Sequence, residues 1–145
     1  KKRSCSCMSG QIAKYKRRIS GPLMDRIDIY MEIPAVEVDK LSQDLYSENS
    51  ETIRKRVIRA RHIQRSRFGG RILTNSEMSN QDIKKYCQHE IESQNLLKKY
   101  VDSGKLSARG YHRVLKVARS IADLAESENI KKEHIAESLM YRLKD

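Results

Sequence analysis

Arginine is the residue type best placed to do chemistry in this sequence, and it recurs in three settings. A guanidinium is planar, permanently charged and rich in donors, so it suits phosphates and carboxylates. Arg54, Arg61 and Arg65 form the first set. At about 100° per residue they fall within roughly 40° of one another on a helix, beside a stripe of Ile53, Val57 and Ala60. Such a ridge can grip a phosphate backbone without reading bases, meet an acidic subunit surface, or stand in solvent. Arg109 and Arg113 form the second set, one turn apart near the start of a patterned helix. There a guanidinium and the exposed amides of a helix start can meet an anion together, although an ordinary surface pair is the plainer reading. Arg26 is the third, where a loop opened by Gly21-Pro22 enters an alternating segment.

Other chemistries lack their residues. Gly104-Lys105 resembles the end of a Walker A loop, but Leu106 stands where the Mg²⁺-binding hydroxyl is needed. There is no HExxH and no GxSxG. His62, His89, His112 and His134 show no metal-ligand spacing and read as surface or boundary residues. Cys5 and Cys7 make half of a thiolate site, and a structural zinc needs four ligands. The third cysteine, Cys87, is remote, so no metal site is expected within the chain.

The elements that must carry these arginines are mostly helical. Ile12, Tyr15 and Ile19 suggest a short basic helix over 9–19 with Ser9 as its cap, after a disordered 1–8. Ile27, Ile29, Met31 and Ile33 alternate with polar residues as in a strand ended by Pro34. A lone strand leaves its backbone groups unpaired, so its sheet is expected outside the chain. Ser50 is expected to cap a helix to about Arg67, and Gly69-Gly70 to stop it. Ser79 and Asp82 have capping-box spacing for a helix over 80–87. A helix over 90–102 carries Ile91, Leu97, Tyr100 and Val101, closed by Gly104. Ser107 caps the best-patterned helix, with Tyr111, Val114, Leu115, Ala118, Ile121, Ala122 and Ala125 on one stripe. A last helix over 132–143 offers Ile135, Leu139 and Leu143. The fold class is therefore mainly α: a small helical bundle preceded by a basic arm and one strand.

A net charge of +11 on 145 residues points to phosphate-bearing partners, but the excess is local. Eight Lys/Arg face one acid over residues 1–26, and again over 51–71, whereas 27–50 is acidic. No apolar run spans a membrane, and the basic start is followed by no signal-peptide core. Three cysteines favour a reducing, cytoplasmic setting. The opening inside a basic run, without Met, reads as part of a longer protein.

Three stretches carry a resemblance. Ile19-Ser20-Gly21-Pro22-Leu23-Met24-Asp25-Arg26-Ile27-Asp28 and the segment to Pro34 resemble the join between ATPase core and lid in the magnesium-chelatase-like AAA+ family, in its ComM-type competence branch. Residues 106–125 and 135–142 match its lid in the same order. The resemblance implies that residues 1–34 end the ATPase core and are disordered in isolation. It makes 35–49 a linker and 50–145 the helical lid. It makes Arg26 the arginine finger, acting in trans on a neighbouring subunit's γ-phosphate. It makes Arg109 sensor 2, acting in cis, with Arg113 beside it at the nucleotide. It implies ATP and Mg²⁺ as cofactors of the whole protein, with Walker motifs before Lys1, so that this chain alone neither hydrolyses ATP nor binds it tightly. It also implies a zinc-like cluster completed by an upstream cysteine pair, a hexameric ring built on the protein's own core, and work on DNA in the cytoplasm. A metal-chelatase ATPase subunit is the weaker variant of this reading. A stand-alone basic helical nucleic-acid-binding module is the alternative from another class, and the unpaired strand speaks against it.

Overall fold

A computed structural model of the chain describes residues 6–18, 26–34, 48–71 and 74–142. Six α-helices and one 3-10 turn lie among the described residues: α1 (Ser9–Arg18), α2 (Ser50–Phe68), the turn Asn75–Glu77, α3 (Asn80–Tyr86), α4 (Ile91–Asp102), α5 (Ala108–Leu124) and α6 (Lys132–Met140). The mainly helical fold class is thus observed.

Capping chemistry places most of the helix starts. Ser79 and Asp82 close the predicted box on α3: the Asp82 carboxylate accepts from the Ser79 amide at 2.9 Å and hydroxyl at 2.7 Å. Ser107 accepts from the Gly110 amide at 3.0 Å at the head of α5, as its position predicts. Two predicted caps are corrected. At α2 the cap is Asn49, whose Oδ1 accepts from the Thr52 amide at 2.8 Å. Asn49 is extended, and its short amide reaches the third residue on, so Ser50 becomes the first helical residue. At α1, Ser9 lies inside the helix, and the Gln11 side chain accepts from the Met8 amide instead. Gly69 ends α2 at φ 56, a left-handed conformation that an L side chain resists.

The long helix α5 is the axis of the fold and packs against α2, α3, α4, α6 and the 3-10 turn. Its predicted stripe supplies the core residues Val114, Leu115, Ala118 and Ala122. Tyr111 and Ile121 are half-buried, and Ala125 is exposed just beyond the helix end. Phe68, Ile83, Leu97, Ile130, Ile135 and Leu139 close around it. In α4 only one side faces this core, so Leu97 is buried and Tyr100 partly so, whereas Ile91 and Val101 are exposed. Leu143 and Ile19 lie outside the described residues. In α2, burial begins only at Ala60, and Ile53 and Val57 remain 42% and 45% exposed.

The alternating segment at 27–33 is expected to find its sheet outside the chain. No strand exists among the described residues, so the segment has no ladder to join. It runs along the bundle instead, with the Tyr30 amide donating to the Tyr141 carbonyl at 2.7 Å.

Candidate functional site

The first half of α5, with the 3-10 turn and α3 beside it, walls a polar cleft of about 480 Å³. Arg109, His112, Arg113 and Lys116 line it, together with Asp28 from the extended segment. The four α5 residues share a face because they recur at helical spacings of three and four. Their charges are used differently. Lys116 Nζ donates to the Ser76 carbonyl at 2.8 Å. Arg113 donates to the Arg26 carbonyl at 2.9 Å and to the Asp28 carboxylate. Arg109 is exposed and has no partner among the described residues. The cleft therefore offers one unengaged guanidinium in a basic wall whose single lining carboxylate is already paired.

A second arginine fastens the same segment. Arg142 donates to the Ile27 carbonyl at 2.8 Å. Its side chain crosses α5 at Gly110, where a Cβ would lie 2.9 Å from Leu106 Cδ1 and 3.1 Å from Arg142 Nε. Glycine at that position keeps the crossing open. Arg26 thus stands with its backbone held to the bundle and its side chain exposed.

The predicted ridge is present on α2. Arg54, Arg61 and Arg65 are exposed, and none makes an ion pair among the described residues. Neighbouring basic residues are engaged: Arg56 with Glu48 at 2.9 Å, Arg59 with Glu126 at 3.2 Å and Lys55 with Glu51 at 3.7 Å.

A charged cluster that the sequence reading overlooked lies inside the bundle. Asp123 is fully buried and accepts from Arg67, Asn75 Nδ2 at 2.8 Å and Arg119 Nε at 3.0 Å. Arg119 also donates to the Ser127 and Glu128 carbonyls at 2.5 and 2.7 Å. Burial pulls its guanidinium below the usual arginine range, with Asp123 opposing. The signal was legible: Arg119 and Asp123 stand four apart, next to Ala118 and Ala122 of the apolar stripe. A charged pair at that spacing beside a buried stripe announces an internal ion pair.

Histidines and cysteines among the described residues offer no metal site. No group of three or more His, Cys, Asp or Glu that could hold a metal exists among the described residues. His134 is a correction, because it is buried and its Nδ1 accepts from the Lys131 amide at 3.1 Å. Burial pushes the Cys87 thiol up to about 12. Cys7 is exposed, and Cys5 lies outside the described residues. No helix among the described residues is long and apolar enough to cross a membrane.

Comparison with known proteins fits this arrangement to a family. The model for the C-terminal part of magnesium chelatase, subunit ChlI, matches residues 47–142, and the model for magnesium chelatase, subunit ChlI, matches residues 1–41. The chain is 37% identical over 133 residues to competence protein ComM of Haemophilus influenzae, covering 91% of this chain and 26% of that protein. It is 38% identical over 141 residues to uncharacterized protein YifB of Salmonella typhimurium, and 35% over 140 residues to that of Escherichia coli. Each of these alignments covers 96% of this chain and 27% of the relative. The chain thus spans about a quarter of the length of the curated relatives it matches.

Proposed function

This chain belongs to the magnesium chelatase, subunit ChlI, family, and we propose that it is the lid and core edge of an ATP-driven AAA+ ring motor acting on DNA. The observation that carries this reading is the cleft at the head of α5, where Arg109 has no partner among the described residues and the Arg26 segment is fastened alongside. Its residues fit the phosphate end of a nucleotide: three permanent or near-permanent cations face one paired carboxylate. They do not fit the magnesium, for which the described residues hold no carboxylate cluster. ATP supplies the phosphoryl group to be transferred. The contribution of this chain is to meet the charge that develops on the phosphoryl oxygens.

In this reading Arg26 is the arginine finger and Arg109 is sensor 2. Arg109 lies four residues, about 6 Å along the axis, from the residue that holds the Arg26 backbone. That closeness favours both guanidinia serving one γ-phosphate, held by a neighbouring subunit, over a division between two sites. Arg113 is engaged with the Arg26 segment, which leaves Arg109 as the nucleotide-facing member of the pair.

The action on DNA rests on a different surface. Arg54, Arg61 and Arg65 form an exposed ridge on α2 without ion-pair partners among the described residues, suited to a phosphate backbone. We extend this reading to the whole protein as a cytoplasmic motor that remodels DNA.

The test is ATP turnover by the full-length protein, with and without DNA, in wild type, Arg26→Ala and Arg109→Ala. Loss of an arginine finger costs about 10³–10⁵ in rate, and each variant is expected to lose turnover while assembling normally by sedimentation. Wild-type turnover in both variants contradicts the assignment.

A further inference from the structure

We propose that Arg113 is the positioning residue for Arg26: it clamps the segment that bears this arginine to the head of α5. The inference rests on the reading of Arg26 as the group that meets a phosphate, and adds what holds it in place.

The geometry is specific. One nitrogen of Arg113 donates both to the Arg26 carbonyl, at 2.9 Å, and to the Asp28 carboxylate. These contacts lie on either side of Ile27, whose own carbonyl accepts from Arg142 at 2.8 Å. Two residues further on, the Tyr30 amide donates to the Tyr141 carbonyl at 2.7 Å. Backbone groups at 26, 27 and 30 and the side chain at 28 are thus all tied to the bundle, across gaps of more than 80 residues in sequence. The segment has no β ladder among the described residues, so these side-chain and turn contacts replace one.

The chemistry suits positioning better than stability. The Arg113 and Asp28 side chains are 27% and 45% exposed, and an ion pair that open to water contributes little to folding. Its effect is geometric. An exposed loop arginine whose backbone wanders loses alignment with its target, and a displacement of about 1 Å can cost about 10²-fold in rate. Because α5 also carries Arg109, the clamp ties the Arg26 backbone to the element that bears Arg109. Any rotation of the lid carries Arg26 with it.

Two measurements test this. In the 145-residue chain, hydrogen exchange at the Tyr30 amide is expected to be slow in wild type and to quicken in Arg113→Gln and in Asp28→Asn. Asp28→Asn alters an exposed residue and guards against a folding defect. Unchanged Tyr30 exchange in both variants overturns the clamp, whatever Arg26 does. In the full-length protein, Arg113→Gln is expected to lower kcat about 10²-fold with KM for ATP nearly unchanged. Arg26→Ala/Arg113→Gln should be no slower than Arg26→Ala alone, because a positioning group has nothing left to position. Losses that multiply in the double variant overturn the positioning role. Wild-type turnover in Arg26→Ala overturns the underlying reading of Arg26 instead, and the exchange result then still decides whether the clamp exists.

Discussion

Arg67 and Asp123 meet through paired hydrogen bonds inside the bundle, joining the last turn of α2 to the last turn of α5. Asn75 completes the contact from the 3-10 turn, donating to Asp123 and accepting from Arg67 at 3.0 Å. The same turn supplies the Ser76 carbonyl that holds Lys116 in the cleft. One buried ion-pair hub therefore sets the angle of α2 against α5 and anchors a wall of the candidate site.

Asp123→Ala is expected to be among the most damaging single substitutions. It strips the carboxylate from Arg119, which is 2% exposed, and from Arg67. Breaking a buried pair from one side costs about 3–5 kcal/mol. Thermal unfolding by circular dichroism should show the fall. A melting temperature unchanged in Asp123→Ala contradicts the role of the hub.

Asp82 gives the fold an acid-sensitive joint. The Ser79 hydroxyl, then the Ser79 amide and Arg71, hold its carboxyl down at about 2. A carboxylate lowered on folding stabilises the native state above its unfolded value, near 3.9, and that contribution is lost as pH falls through its folded value. Wild type is therefore expected to exceed Asp82→Asn in stability at neutral pH, with the gap closing between about pH 4 and pH 2. Urea titrations across that range measure it. A gap that stays constant down to pH 2 contradicts the assignment.

The α2 ridge makes a separate prediction. If Arg54, Arg61 and Arg65 each neutralise one phosphate, replacing all three by Ala should reduce the slope of log affinity against log salt by about 3 on duplex DNA. The loss should be the same for unrelated DNA sequences, since no base edge is read. Fluorescence anisotropy over a salt series measures both. Unaltered affinity and slope would free the ridge for a protein surface.

Much of the bundle was legible because capping and periodicity are local. Ser79 with Asp82, Ser107 ahead of α5, and the stripe from Val114 to Ala122 each announce themselves within a few residues. Tertiary geometry was less accessible. Ile53 and Val57 look like core residues by spacing, yet α2 begins before the bundle does. Ile27 to Ile33 alternate like a strand, but a strand is defined by its partner. The site divides in the same way. Residue type and family resemblance singled out Arg26 and Arg109. Only the fold shows that Arg113 joins their neighbourhoods across 87 residues of sequence.

The central claim is that Arg26 and Arg109 of one subunit serve the same γ-phosphate, and a mixing experiment tests it most directly. Full-length Arg26→Ala and Arg109→Ala proteins, each impaired alone, are combined in equal amounts under conditions of subunit exchange, and ATP turnover is measured. When both arginines must come from one chain, no subunit in the mixture can supply the pair, and turnover is expected to stay at the level of the separate variants. Recovery of turnover on mixing would mean that the two arginines act from different subunits at each site, contradicting the shared target.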